Sequence, residues 1–334
     1  MKQETLLIVE DNAVLRKALV EMLTMDGFVV LSAGNGKEAL QQMESVYPDL
    51  ILSDISMPVM DGFEFFRTVR KRPEWLSIPI VFLTARGDKT DVLMGKGLGA
   101  EDYLVKPINH KELLVAIRAR LNRSQQLRLA RLREAYQASL TVLANAIEVR
   151  DQYTRGHVER VTSYAVMLGA RLGWSGKQME DLRYGAILHD IGKIHIQGRT
   201  LQKRGPLDHQ EWSVMQRHPV IGAEMIKDIP FLAPAVPAVL YHHEYWDGSG
   251  YPKGLKGEEI PMIARIIAVA DAFDAMTTTR SYRQARPVEQ AYNELVEGAG
   301  KLFDPAVIEA FVQSWQDGEI QEIFEIWNNG YGGF

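Results

Sequence analysis

The chain has 334 residues, too many for one typical hydrophobic core and suited to two domains. Its net charge of -5 argues against a general nucleic-acid binder, so no DNA partner is expected, and the absence of cysteine leaves only nitrogen and oxygen atoms as metal ligands. The longest uncharged apolar stretch, Ile229–Tyr241, is too short for a membrane span and holds Pro230, Pro234 and Pro237; no signal peptide follows Met1, so a cytoplasmic protein without a membrane partner is expected.

Short β-rich runs open the chain at Thr5–Val9, Phe28–Ala33, Asp49–Ser53, Ile80–Leu83 and Tyr103–Val105. Amphipathic segments starting near Ala13, Gly36, Asp61, Asp88 and Asn109 separate or follow them. Five such repeats predict an α/β, flavodoxin-like domain with a five-stranded parallel sheet, whose function gathers beyond the carboxyl ends of the strands. Glu10 and Asp11 follow the first strand, Asp54 the third, Thr84 the fourth, and Lys106 with Pro107 the fifth. Carboxylates crowded at one edge call for a cation, and an all-oxygen site suits Mg²⁺. A threonine and a lysine beside them suit a phosphoryl group carried by one carboxylate.

Residues 1–121 resemble a two-component response-regulator receiver domain, on the segments Asp54-Ile55-Ser56-Met57-Pro58-Val59-Met60-Asp61-Gly62 and Lys106-Pro107. The resemblance implies Asp54 as phosphoacceptor, Glu10, Asp11 and Asp54 as Mg²⁺ ligands, and Thr84 and Lys106 on the phosphoryl group. It also implies that Tyr103 changes rotamer on phosphorylation, that the Lys106–Pro107 bond is cis, and that a sensor histidine kinase is the cognate partner. Glu10 stands where aspartate is commoner and keeps the charge.

Asn109–Arg150 holds no proline or glycine and predicts a long helix, with residues 122–150 as a connector. Leu129, Leu132, Tyr136, Leu140, Leu143 and Ile147 form a three-four-spaced stripe on it. Such a stripe fits a homodimer seam, through the connector or with the receiver, and equally fits packing on its own domain; Arg128, Arg131 and Arg133 interrupt a longer heptad pattern.

From Ala138 the pattern is helical, with loops near Ile196–Asp208 and Asp247–Glu259, so residues 151–334 are expected to form an all-α bundle. His242-His243 precede a glycine-punctuated turn, His189-Asp190 interrupt the apolar run Ala186–Ile194, and Asp271 and Asp274 interrupt Ile266–Asp274. His157, His189, Asp190, His218, His242, His243 and Asp271 exceed one ion's usual ligand count, and they fit two ions sharing a carboxylate. Lys193, three residues past Asp190, is expected on the same helix face, within reach of a phosphate oxygen.

This half resembles the HD-GYP branch of the HD phosphohydrolases over residues 138–315. The matching segments are His157–Val161, His189-Asp190-Ile191-Gly192-Lys193-Ile194, Arg217-His218-Pro219, His242–Pro252 and Arg280-Ser281-Tyr282-Arg283. The resemblance implies one ion on His157, His189, Asp190 and Asp271 and a second on Asp190, His218, His242 and His243. It places Asp247, Gly250, Tyr251 and Pro252 along the nucleotide site, with Arg283 binding guanine or phosphate. Glu244 and Asp274 are expected to orient histidines, and His110, His195 and His209 to lie outside the site. Some members hold a third ion on a carboxylate where this chain has Tyr153, which favours two ions; nearby Glu148 and Asp151 leave that open. Nitrogen and oxygen ligation suits iron or manganese, with zinc, nickel and copper as competitors.

The implied protein is a response regulator that hydrolyses cyclic di-GMP to pGpG and/or GMP under control of Asp54, with a diguanylate cyclase as a further candidate partner. Two alternatives remain: a weakly catalytic output domain that binds cyclic dinucleotide or a protein, and an HD hydrolase of another nucleotide.

Overall fold

A computed structural model describes residues 3–84, 102–148, 156–203, 205–279 and 284–330. The chain forms two compact units, Met1–Glu134 and Ala135–Phe334. The helix expected near Asp88 and the segment Arg280–Arg283 lie outside the described residues.

In the first unit, β1 (Thr5–Val9), β2 (Val29–Ala33), β3 (Leu50–Asp54), β4 (Ile80–Thr84) and β5 (Asp102–Val105) form a parallel sheet in the order β2-β1-β3-β4-β5. The expected strands are all present, with ends displaced by a residue at most. The chain order reverses between β1 and β3, which opens a crevice at their carboxyl ends. Alternation along the strands loads both faces with apolar side chains. Leu7, Val9, Ile51 and Phe82 pack with α2 (Gly36–Met43) and α3 (Gly62–Arg70); Leu6, Ile8, Leu52 and Val81 pack with α1 (Ala13–Met25) and the start of α4 (His110–Glu148). Asn12, Asn35 and Asp61 cap the first three helices by accepting from free backbone N–H groups.

Gly62, at the start of α3, packs against the backbone of Asp54 and Ile55. Its N–H donates to Ile55 O at 2.8 Å, and a Cβ there would lie 2.2 Å from Asp54 O. Gly62→Ala is therefore expected to cost about 1–3 kcal/mol, read as a lower urea midpoint for the first unit; an unchanged midpoint would contradict this packing.

The second unit is helical. Its core surrounds α10 (Met262–Thr277), where Phe273 meets Tyr164 of α5 (His157–Arg171) at 5.1 Å and Phe311 of α12 (Pro305–Gln316) at 5.2 Å. Around it lie α6 (Gly176–Leu188), α7 (His209–Met215), α8 (His218–Ile226), α9 (Val236–Tyr241), α11 (Val288–Glu297) and α13 (Glu319–Gly330). The connector stripe divides. Ile147 is buried, Leu140 packs against the same cluster and Tyr136 rests on Phe231, whereas Leu129, Leu132 and Leu143 stay exposed. Among the described residues no helix is long and apolar enough to cross a membrane.

Candidate functional site

The candidate ligands sit where helices end. The last carbonyls of a helix lack intrahelical donors, and three imidazoles supply them: Nδ1 of His189 to Ala186 O at 2.7 Å, of His218 to Met215 O at 2.8 Å and of His242 to Val239 O at 2.9 Å. Each such contact assigns the proton to Nδ1 and leaves Nε2 as a lone-pair donor. His157, first residue of α5, reaches the same state by another route, donating Nδ1–H to Asp274 at 2.6 Å, while Arg160 holds that carboxylate from the other side. Asp274 thus orients a histidine, as expected.

Asp190 stands between two groups. Its Oδ1 lies 3.1 Å from His218 Nε2 and 3.9 Å from His242 Nε2; its Oδ2 lies 3.4 Å from His189 Nε2 and 2.7 Å from Lys193 Nζ. Ligand atoms of Asp190, His218, His242 and His243 all fall within 4.8 Å of one another, as do those of His157, His189 and Asp271. All seven expected residues are brought together.

Burial, with the neighbouring His218, pushes His243 down to about 3, and burial with the other imidazoles pushes His242 well below the usual histidine range. Both are neutral donors at neutral pH. In His189 the cost of burial is outweighed by Asp190 and its pKa rises to about 9, so its Nε2 lone pair becomes available only when a cation displaces a proton there. Asp190, although buried, is held well below the usual carboxylate range by Lys193 and His189. His189 Nε2 and Asp271 Oδ1 are buried without a hydrogen bond, as is Oε1 of Glu148, which lies 3.7 Å from His157 Nε2 and is pushed by burial up to about 7. Buried polar atoms of this kind need partners. Cations shared among these nitrogen and oxygen donors would provide them.

Two local readings are corrected. The polar pair was expected inside a helix, but α6 ends at Leu188 and residues Ile191–His195 form a 3-10 turn. Gly192 permits the turn's close approach: a Cβ there would lie 2.0 Å from His218 O, so the turn presses directly on the start of α8. Lys193 nonetheless stays beside Asp190, because residues three apart eclipse in a 3-10 turn. Glu244 was expected to orient a histidine; its carboxylate instead accepts from Lys253 N at 2.7 Å and Leu255 N at 3.0 Å, holding the loop.

That loop is built around Gly250, where a Cβ would meet Tyr245 N at 2.3 Å and His243 O at 2.5 Å. The Tyr251 N–H donates to His243 O at 3.1 Å, and its ring stacks on His243 at 4.7 Å. Pro252 follows through a cis bond. Asp247 turns its carboxylate to Ser249, which donates to it from N at 2.9 Å and from Oγ at 2.6 Å. Arg283, Asp151 and Tyr153 lie outside the described residues, and His195 and His209 are exposed.

In the first unit, ligand atoms of Glu10, Asp11 and Asp54 share one cluster. Lys106 Nζ lies 2.7 Å from both Glu10 Oε2 and Asp54 Oδ2, and Thr84 is buried at the end of β4. Burial, with the nearby Asp54 charge, raises the Glu10 pKa against the pull of Lys106. Tyr103 stacks on Phe82 at 5.6 Å, the Lys106–Pro107 bond is cis, and His110 pairs with Asp26 away from the cluster.

The response regulator receiver domain model matches residues 6–118 and the HD domain model residues 141–307. A cyclic di-GMP phosphodiesterase of Thermotoga maritima is 34% identical over 92% of this chain and 90% of its own. The chain belongs to the receiver–HD response regulators. The cyclic di-GMP phosphodiesterase response regulator RpfG of Xanthomonas campestris pv. campestris is 38% identical to this receiver–HD regulator, over 85% of this chain and 80% of RpfG. A 3'3'-cGAMP-specific phosphodiesterase 2 of Vibrio cholerae is 38% identical over 56% of this chain and 36% of its own. All seven candidate ligands of this receiver–HD regulator fall inside the HD match, and Glu10, Asp11, Asp54, Thr84 and Lys106 inside the receiver match.

The sequence reading missed the carbonyl caps that set the tautomers of His189, His218 and His242. Their signal was present: each histidine stands three residues after the carbonyl it caps.

Proposed function

We propose that this receiver–HD regulator hydrolyses cyclic di-GMP to pGpG and/or GMP at two divalent ions, under control of phosphorylation at Asp54. The observation that carries this reading is Asp190, whose two oxygens face two separate groups of nitrogen donors. Relatives that align over most of the chain, two of them named as cyclic di-GMP phosphodiesterases and a third as a probable one, support the substrate.

His157, His189, Asp190 and Asp271 would hold one ion, and Asp190, His218, His242 and His243 the other. Iron or manganese is favoured for this donor set over zinc, nickel or copper. When bound, such a pair activates water and offsets charge on phosphate oxygens. The chain's own part is orientation and charge. Asp274 and the three capped carbonyls keep Nδ1 of His157, His189, His218 and His242 occupied and their Nε2 atoms turned inward. Lys193, its ammonium against Asp190, is placed to neutralise a phosphate oxygen as the diester breaks. Gly250, Tyr251 and Pro252 line the nucleotide site with Asp247 shaping its turn, and Arg283 binds guanine or phosphate.

In the receiver, residues 1–121, Asp54 accepts phosphate from a histidine kinase, Glu10, Asp11 and Asp54 hold Mg²⁺, and Thr84 and Lys106 contact the phosphoryl group. Added charge there moves Thr84 and Tyr103 and alters the face on which the connector, residues 122–150, begins. The exposed part of the connector stripe supports a homodimer, and the output domain occupies residues 151–334. The protein acts in the cytoplasm, where a diguanylate cyclase is a candidate partner.

A panel of cyclic di-GMP, 3'3'-cGAMP and nucleoside triphosphates, offered to metal-loaded protein with product identification, tests the assignment. Turnover of cyclic di-GMP first among them supports it; preference for 3'3'-cGAMP would move the chain to the specificity in its Vibrio cholerae relative's name, and no turnover would leave a binding module. Beryllofluoride is expected to change turnover or dimer mass, and Asp54→Ala to abolish that response. Equal rates and equal mass with and without it would reject control by Asp54.

A further inference from the structure

Trp212 belongs to none of the motifs above, and its position is hard to explain by packing. It sits on α7, a helix in which no residue is buried, and its side chain is 46% exposed. The ring is large and amphipathic, with one flat face available for contact. The helix is nonetheless rigidly placed. Asp208 and Glu211 form a reciprocal capping box at its start, Lys203 pairs with Glu211, and at its end the Met215 carbonyl receives Nδ1–H of His218. One end of the helix is therefore fixed to a proposed metal ligand.

The ring itself adjoins the nucleotide loop. Trp212 meets Tyr251 at 6.2 Å, with planes 75° apart, and Tyr251 stacks on His243 at 4.7 Å. Trp212 is thus one ring contact from the loop proposed to line the nucleotide site and two from His243, a proposed metal ligand. An edge-to-face contact with Tyr251 leaves much of the indole surface open.

We infer that Trp212 is a stacking platform for a purine base of the substrate, which makes it a residue of binding and specificity rather than of bond cleavage. Indole stacks on any purine because every base has a π face; selection among purines must come from other groups. The inference rests on the phosphodiesterase reading above and adds to it the contact made by a base.

The test compares wild type, Trp212→Ala and Trp212→Phe, all metal-loaded, on cyclic di-GMP and on methyl p-nitrophenyl phosphate, a diester with no base. Trp212→Ala should raise KM for cyclic di-GMP by about 10- to 100-fold with little change in kcat. It should leave methyl p-nitrophenyl phosphate turnover and metal content unchanged, and Trp212→Phe should recover most of the lost affinity. With no core residue on the helix, the variant is expected to fold, and circular dichroism checks this. An unchanged KM in Trp212→Ala, or equal losses on both substrates, overturns the platform and leaves the phosphodiesterase reading standing. Wild type that hydrolyses methyl p-nitrophenyl phosphate but not cyclic di-GMP overturns the substrate assignment, and the platform with it.

Discussion

Replacing Asp190 with asparagine is expected to empty both proposed metal positions and lower cyclic di-GMP turnover by on the order of 10³-fold or more, the upper scale for loss of one preorganised electrostatic group. The change keeps the side chain's size and removes its charge. Asp190 Oδ1 faces His218 and His242, while Oδ2 faces His189. Without the carboxylate, the Nε2 atoms of His218 and His242, 3.3 Å apart, face each other with no anion between them. The His218, His242 and His243 group then has no anionic ligand and the other keeps only Asp271, too little charge to hold a divalent ion pair in a buried setting. Metal content by mass spectrometry and turnover should fall together. A variant that keeps both ions would remove Asp190 from its bridging place, and one that keeps activity would remove it from the mechanism.

Lys193→Ala should separate the two effects. Lys193 is only 7% exposed, and its Nζ lies 2.7 Å from Asp190 Oδ2. It offers donors but no lone pair in its charged form, so the proposed role is to stabilise phosphate charge and not to ligate metal. The variant is expected to retain its ions and lose about 10²–10³-fold in kcat, the scale seen when one donor to a developing charge is removed. Normal kcat would return Lys193 to the role of Asp190's structural partner; loss of metal would show that its charge supports the ligands themselves.

Much of the architecture was readable in advance. Runs such as Leu6–Val9 and Ile80–Leu83 are apolar on both faces of the strand, which only a sheet covered on both sides permits. The five histidines and two carboxylates were also legible, because each interrupts an apolar run or starts a helix where structure alone gives little reason for it. The failures are long-range. Position 192 must be glycine because His218 O, far along the chain, leaves no room for a Cβ; no local pattern encodes that contact. Glu244 turned from histidine to loop because Lys253 and Leu255 present backbone N–H groups that need an acceptor, a demand created only once the loop folds back. The connector stripe left dimer seam and self-packing equally open in sequence; Ile147 is buried and Leu143 is exposed, since the neighbouring helices cover only part of it. Trp212 was silent for the same reason, its approach to Tyr251 spanning 39 residues.

Anomalous diffraction from crystals grown with metal-replete protein addresses most directly whether these side chains share a pair of ions. Two peaks are expected about 3.5–4 Å apart, one beside His157, His189 and Asp271, the other beside His218, His242 and His243, with Asp190 touching both. Imidazoles turned toward one another with no anomalous density among them would contradict the account at its root.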